Sequence, residues 1–272
     1  MKRLNKDIIK ASLQKIWITP KWFILCSIVA SLLLAAVVEL DVFNTKLVVD
    51  VPYYSGRRYF TVFLLCFGFI LLCRYHKYLS QNLDKAFLLI CSTAGLAFIF
   101  AFPQVVHVSP DDHIHMRNAF VFLHDEAHWS DGIKMLDAAI DTDTSSMSMS
   151  EIDAVHKMMN DAHSATRDKV MTFTDSYNWY SRLIYLPYHL GFEISQFLGL
   201  ALTDMLVVAK LFNYICYVLL IYFAIKLSTH ARKIFFAIGL ITSNIFYATQ
   251  FSYDPMITAS IMLALALFLR ML

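Results

Sequence analysis

The sequence is divided into apolar runs of about membrane-crossing length, separated by segments that carry most of its charge. Six runs are long enough to matter: 22–38, 59–73, 86–103, 204–225, 234–251 and 255–269. A helix crosses a bilayer with roughly 20 apolar residues, and with fewer where flanking side chains reach the interface. Because 58% of the residues are hydrophobic and 16% are charged, far from the soluble average, the runs predict an all-α membrane protein with six transmembrane helices.

Lysines and arginines predict how these helices are oriented. Basic residues crowd the N-terminus before run 22–38, and more follow run 59–73 in the segment "RYHKYLSQNLDK". Short loops rich in lysine and arginine stay in the cytoplasm, so 39–58 and 104–182 are expected outside. Arg57 and Arg58 depart from this rule and are expected to snorkel. Run 22–38 has no small-residue cleavage site at its end, so we interpret it as an uncleaved anchor.

The region 104–182 is polar and acidic, with 13 acidic and 6 basic residues and seven of the ten histidines. Its middle, "DTDTSSMSMSE", is of low complexity and typical of a flexible linker between two short helical pieces. All five cysteines lie in the apolar runs instead, so a disulfide framework is not indicated. The region predicts a small extracytoplasmic helical lobe.

Residues 183–200 are apolar enough to be a seventh crossing, but two features argue against it. A crossing there would place the basic loop 226–233 outside, against the charge rule. The polar side chains of the segment also recur at helical spacing and form one stripe: Arg182, Tyr185, His189, Glu193 and Gln196. This pattern predicts an amphipathic juxtamembrane helix that lies on the outer surface.

Two adjacent carboxylates, Asp111 and Asp112, follow the third apolar run. Such a pair raises the pKa of one member, and one carboxylate can act as a base while the other orients it or binds a metal. Together with His115, one turn later, they are candidate ligands for a divalent metal. The alternative is an ordinary helix start, because Ser109 and Pro110 suit the cap and the first position.

The fourth run contains a lysine, Lys210, in its outer part. Ionisable groups inside a span are costly and mark functional sites by default, although a lysine at this depth can also snorkel. Asn213, Tyr214 and Tyr217 share its helical face. Asp254 occupies the short turn before the sixth run, and its simplest interpretation is a turn residue before proline.

The remaining motifs are weaker. His113 and His115 do not share a helix face, whereas His124 and His128 in "HDEAH" would form a weak i,i+4 metal pair if this segment is helical. With seven glycines the chain has no phosphate-cradling loop, and nothing in it indicates nucleic-acid binding.

Taken in order, the sequence elements resemble a bacterial family of polytopic membrane proteins of unknown function that is related to the GT-C glycosyltransferases. The resemblance covers roughly 86–272. The family's Pro-Asp-Glu motif with a histidine three residues later is matched by Pro110, Asp111, Asp112 and His115, with aspartate in place of the usual glutamate. Three further features match: Tyr185 and Pro187 at the surface helix, Lys210 and Asn213 where the family has arginine and asparagine, and the Ser252–Asp254 turn.

The first two apolar runs predict an N-terminal two-span anchor, 1–85. The resemblance implies a GT-C-like module, 86–272, in the bacterial cytoplasmic membrane. Such an enzyme moves a sugar from a polyprenyl-phosphate carrier to a cell-surface acceptor outside the membrane. Asp111 and Asp112 would be catalytic, with Mg²⁺ or Mn²⁺ as a candidate cofactor. Substrate binding would fall to His115, Arg182, Lys210, Asn213 and Asp254.

The resemblance also implies a truncated member, whose missing spans a membrane-protein partner would supply. Two other functions remain open from the sequence. One is a non-catalytic membrane subunit that binds a lipid or a partner of cell-envelope polymer assembly. The other is a metal-handling protein that uses the histidine-rich loop.

Overall fold

The computed structural model of the chain describes residues 20–44, 54–102, 104, 112–122, 126–140, 149–172 and 182–272. This part is almost entirely helical. Its long helices form a bundle, and its shorter elements form a lobe at one end. The helices α1 (Pro20–Asn44), α2 (Tyr54–Gln81) and α3 (Leu83–Ala101) come first in the bundle, and α8 (Leu202–Leu227) and α11 (Asp254–Met271) come last.

Four helical segments have the length and hydropathy to cross a membrane: Tyr59–Gln81 of α2, together with α3, α8 and α11. They coincide with the predicted runs 59–73, 86–103, 204–225 and 255–269. The first run, 22–38, lies within the 25-residue helix α1, of which Lys21–Val37 is a further apolar helical stretch. The described part of the chain is thus mostly helical with four helices of membrane-crossing length, as in a multi-pass membrane protein, and six spans are not confirmed within these residues.

The fifth run, 234–251, departs most from the prediction. It forms two short helices, α9 (Arg232–Gly239) and α10 (Thr242–Ala248), with a break at Leu240 and Ile241. Arg232 pairs with Asp84 at the start of α3, through Nη2 and Oδ1 at 2.5 Å. At the other end, the ring of Phe246 packs edge-on against Phe102. The segment thus follows α3 along its length as an interrupted helix.

Side chains hydrogen-bond to two backbone carbonyls next to this interruption. The Tyr217 hydroxyl of α8 donates to the Gly239 carbonyl at 2.9 Å, and Asn244 Nδ2 donates to the Ile238 carbonyl at 3.2 Å. An unpaired backbone carbonyl in lipid costs several kcal/mol, on the order of the full loss of a hydrogen bond. The interruption is stable because polar side chains compensate for it.

The lobe contains α4 (Asp112–Val121), α5 (Asp131–Ile140), α6 (Met149–Ala165) and a strand pair that the all-α prediction did not include. Strands β1 (Glu126–His128) and β2 (Val170–Thr172) are antiparallel, with Ala127 opposite Met171. The predicted linker falls mostly on 141–148, which lies outside the described residues.

Residues 183–200 form a 3₁₀ turn, Leu183–Tyr185, and α7 (Leu186–Phe197). At 12 residues, or about 18 Å, α7 is too short to cross the roughly 30 Å apolar core of a bilayer. This agrees with the prediction of a helix that does not cross. One row of apolar side chains along residues 183–198 is exposed: Leu183, Leu186, Leu190, Ile194, Phe197 and Leu198, with Phe197 90% exposed, whereas Tyr188 and Phe192 are buried.

The polar stripe of this segment is directed mainly into the protein. Arg182, Tyr185 and His189 are buried against the lobe, whereas Glu193 remains exposed. Therefore α7 separates the lobe on its polar side from an exposed apolar face on the other. The helix α7 also packs closely on α8 at Gly191, where an added Cβ would lie only 2.6 Å from the Ala209 Cα.

Candidate functional site

Three segments that are far apart in sequence meet at the lobe end of the bundle, where α3 finishes and α11 begins. They are the start of α4, the 3₁₀ turn with the first turn of α7, and the turn 250–254. The outer half of α8 lies beside them. Four of the five substrate-binding candidates, His115, Lys210, Asn213 and Asp254, lie on these elements, and Arg182 directly precedes the 3₁₀ turn.

His115 links the first two segments to the third. It is buried, and its Nδ1 lies 2.7 Å from the Tyr185 hydroxyl. The ring of Tyr253 stands edge-on to the imidazole, with ring centroids 4.9 Å apart. His115 therefore lies next to the residue that precedes Asp254, as a shared site requires.

Tyr188 of α7 holds the turn 250–254 in place. Its hydroxyl donates to the Gln250 carbonyl at 2.5 Å and accepts from the Ser252 amide at 3.1 Å. Ser252 Oγ in turn accepts from the Asp254 amide at 3.4 Å, in the first turn of α11. The Asp254 side chain is exposed at this helix start, where the helix dipole favours a carboxylate.

Lys210 is buried, with 3% of its surface exposed. Its Nζ donates to Gln250 Oε1 at 3.2 Å and lies 5.2 Å from the centre of the Phe251 ring. One turn along α8, Asn213 Nδ2 donates to the Ala248 carbonyl at 3.1 Å. Lys210 and Asn213 therefore both face the end of the interrupted helix, as the stripe on the fourth run predicts.

Within this arrangement, Asn213 has one unused acceptor. The residue is fully buried, and its Oδ1 has no hydrogen-bond partner in the described part of the chain. A buried acceptor without a donor costs about 1–3 kcal/mol. A water molecule or a ligand hydroxyl at this position would satisfy it.

Arg182 is located differently from the other candidates. Its Nη1 donates to the Phe122 carbonyl at 2.7 Å, just beyond the C-terminal end of α4, whereas His115 lies in the N-terminal half of that helix. His189 lies at the same end, with Nδ1 3.2 Å from the Ala119 carbonyl. Both side chains bond carbonyls that the helix end leaves free.

The structure describes the acidic pair only in part. Asp111 and the side chain of Asp112 lie outside the described residues, and the Asp112 backbone begins α4. Because Asp112 precedes His115 by three residues in α4, its backbone lies about one helical turn from His115. Their catalytic role stays a prediction.

The structure tests the metal predictions only in part, because some candidate ligands lie outside the described residues. Among the side chains described here, no three histidines, cysteines, aspartates or glutamates are grouped to hold a metal ion. The candidate ligands Asp111 and Asp112 are not among them. The helical geometry that a weak metal pair of His124 and His128 would need is not present at His128, which lies in strand β1 and is exposed, as the favoured interpretation of solvated surface histidines expects. His124 lies outside the described residues.

Sequence reasoning missed four contributors to this site: Tyr188, Gln250, Phe251 and Tyr253. The available signal was the short polar stretch "TQFSYD" between two apolar runs. It marked a turn, but it did not show that α7 would supply the hydroxyl that holds the turn.

No curated protein and no solved structure matches the chain significantly. One family model does match, over residues 91–272, and this range includes the lobe, α7, the interrupted helix and α11. The chain therefore belongs to the predicted membrane protein family DUF2142.

Proposed function

We propose that this protein is a GT-C-like membrane glycosyltransferase that takes a sugar from a polyprenyl-phosphate carrier and transfers it to a cell-surface acceptor. The observation that carries the proposal is the environment of Lys210. A buried ammonium lies at the lobe end of a membrane-length helix, next to the turn that leads to Asp254. The helix that begins at Asp112 reaches the same turn through His115.

The charge and burial of Lys210 suit an anionic ligand. Its ammonium donates to the amide oxygen of Gln250 and lies near the face of Phe251, and a phosphate oxygen would add the attraction between two opposite charges, which is strong where water is excluded. A phosphate at headgroup depth would therefore be a stronger partner for this ammonium than Gln250 is. Polyprenyl phosphate supplies such a phosphate together with a membrane-soluble tail.

In the proposed reaction Asp111 takes the proton of an acceptor hydroxyl, and the hydroxyl oxygen forms a bond to the anomeric carbon. The bond between that carbon and the phosphate oxygen breaks, and polyprenyl phosphate leaves with the electron pair. Lys210 would stabilise the charge that develops on this leaving group. Mg²⁺ or Mn²⁺ prefers carboxylate oxygens, so Asp111 and Asp112 are the residues that would hold such an ion.

The test is lipid-linked-sugar turnover by membranes that contain the wild type or a variant. Asp111→Asn keeps the side-chain shape but cannot accept the proton, so we expect turnover to fall by about 10²–10⁴-fold. Lys210→Met should weaken the apparent affinity for the donor. The matched control is Asp204→Asn, which changes an exposed carboxylate to an amide in the first turn of α8 and should behave as wild type.

Equal turnover by wild type and Asp111→Asn would contradict the catalytic role and reduce "SPDD" to a helix start. The alternative function is a non-catalytic subunit or lipid-binding partner of cell-envelope polymer assembly. A row of exposed apolar side chains on α11 favours it: Ile257, Ile261, Leu265 and Phe268. Lipid or another membrane protein would cover that row, and donor binding without turnover would support this alternative.

A further inference from the structure

The lobe contains a groove on the side of α7 that carries Glu193. It consists of two adjoining cavities of about 230 and 170 Å³. His128 and Gln196 line both cavities and mark where they meet. We call this the His128 groove. It is separate from Lys210 itself, although its lining residue Phe192 stacks on Phe251, the ring beside Lys210, with centroids 6.0 Å apart.

The floor and walls of the His128 groove are fixed by the fold. The rings of Phe120 and Phe192 form the floor of the first cavity and stack with centroids 3.7 Å apart. On one wall, β1 is held by its pairing with β2. At the far end, Arg167 Nη2 donates to the Gly199 carbonyl at 3.1 Å, so the turn after α6 is joined to the end of α7. The groove is therefore preformed, as ligand sites usually are.

The lining excludes two classes of ligand. A prenyl or acyl chain is a poor fit, because histidine, glutamate and glutamine side chains line the first cavity beside the aromatic floor. A phosphate is disfavoured by two carboxylates, Glu193 and Asp168, against one guanidinium, Arg167. Burial, and then the nearby Arg167 charge, lowers the pKa of His163, so this histidine adds no positive charge near neutral pH.

The remaining class is a neutral ligand with many hydroxyls. Carboxylates accept hydrogen bonds, and the amide of Gln196 both donates and accepts, which suits a sugar. The two cavities are each smaller than an ordinary small-molecule pocket of about 300–1,000 Å³, but together they reach that range. Two successive sugar units match this shape better than one large ligand.

The position of the groove relates it to the proposed reaction. Tyr188, which holds the turn 250–254, and Gln196 lie on the same helix, eight residues apart, or about 12 Å along its axis. A chain held in the groove would thus end near the Lys210 site. We propose that the His128 groove binds the carbohydrate chain of the acceptor, an inference that rests on the glycosyltransferase function proposed above.

Binding can be measured without any donor. We would use the full chain in lipid nanodiscs with maltotetraose, chitotetraose and mannotetraose as probes, and saturation-transfer NMR as the readout. One of these tetrasaccharides should bind the wild type. Glu193→Gln should weaken that binding about tenfold or more, because it removes a charged acceptor and keeps the shape. Ala127→Trp fills the first cavity and should abolish binding.

Asp161→Asn removes a carboxylate from the exposed face of α6 and is the matched control, which should bind as the wild type does. The absence of binding by all three probes, or equal binding by wild type and both groove variants, would overturn the inference. Oligosaccharide binding by a wild type that shows no lipid-linked-sugar turnover would support the groove and contradict the proposed transferase function. Turnover without oligosaccharide binding would support the transferase function and contradict the groove.

Discussion

Single tyrosine hydroxyls decide much of the local geometry in this protein. Tyr185, Tyr188 and Tyr217 are buried, and their hydroxyls pair with a histidine, a turn and a freed helix carbonyl, respectively. A buried tyrosine that finds a polar partner combines apolar packing with a directed hydrogen bond. In a membrane bundle, this lets the backbone leave regular helical structure at a defined place.

Tyr217→Phe tests this at the interruption between α9 and α10. The change removes the donor to the Gly239 carbonyl, so we expect a loss of about 1 kcal/mol in the free energy of unfolding. Tyr214→Phe is the matched control. The Tyr214 hydroxyl donates to the Cys91 carbonyl, which lies inside the regular helix α3 and keeps its helical partner.

The measurement is thermal unfolding of both variants in detergent, followed by tryptophan fluorescence. Tyr217→Phe should lower Tm more than Tyr214→Phe does. Equal shifts in Tm would indicate that the interruption needs no support from α8.

At the scale of elements, close helix contacts form where glycines replace larger residues. A Cβ on Gly191 would meet backbone atoms of Ala209, so α7 contacts α8 almost backbone to backbone. Gly95 of α3 similarly accommodates the Tyr214 ring. Small residues permit such approaches in membrane bundles, and here one of these contacts fixes the lobe helix that carries Tyr188.

Gly191→Ala should therefore destabilise the protein. Backbone atoms cannot move aside as a side-chain end can, so α7 would shift away from α8 at a cost of about 1–3 kcal/mol. The neighbouring Leu190→Ala alters an exposed side chain and should remain within about 0.5 kcal/mol of wild type. Chemical denaturation in detergent compares the two variants, and a wild-type midpoint for Gly191→Ala would refute the contact.

At the scale of the whole molecule, the described residues form two hydrophobic clusters, one that joins the lobe to the first turns of α8 and one between the helices of the bundle. The lobe cluster of Met116, Phe120, Trp129 and Phe192 continues onto Leu202, Met205 and Leu206 of α8 and includes Phe251. Buried contacts thus run without interruption from the lobe into the first turns of a membrane-length helix. The lobe is therefore packed directly against the helix that carries Lys210.

The orientation of the chain in the membrane is a prediction for the whole molecule. The loop 228–231 and the lobe lie at opposite ends of α8, and the charge rule places the basic loop in the cytoplasm. In a chain with its five cysteines replaced by serine, a Lys157→Cys change should react with a membrane-impermeant maleimide on intact cells. Thr229→Cys should react only after the cells are permeabilised, and labelling of Thr229→Cys on intact cells would reverse the topology.

The sequence alone determined the features that depend on local composition. Apolar runs identified the helices of membrane length, because a long apolar stretch signals its preferred solvent without any tertiary partner. The stripe of Lys210, Asn213, Tyr214 and Tyr217 was recognisable because helical spacing places these side chains on one face. The basic loop 226–233 and the short polar turn at Asp254 were visible for the same local reason.

Only the tertiary structure decided which elements satisfy one another. The run 234–251 is apolar throughout most of its length, so its pattern does not show the interruption. The interruption is tolerated because Tyr217 and Asn213 of α8 donate hydrogen bonds to backbone carbonyls of this segment. The polar stripe points inward because His189 and Arg182 bond the carbonyls of Ala119 and Phe122 at the C-terminal end of α4. Tyr188 and Gln250 are 62 residues apart in sequence, and a hydrogen bond over that separation depends on packing that no local pattern records.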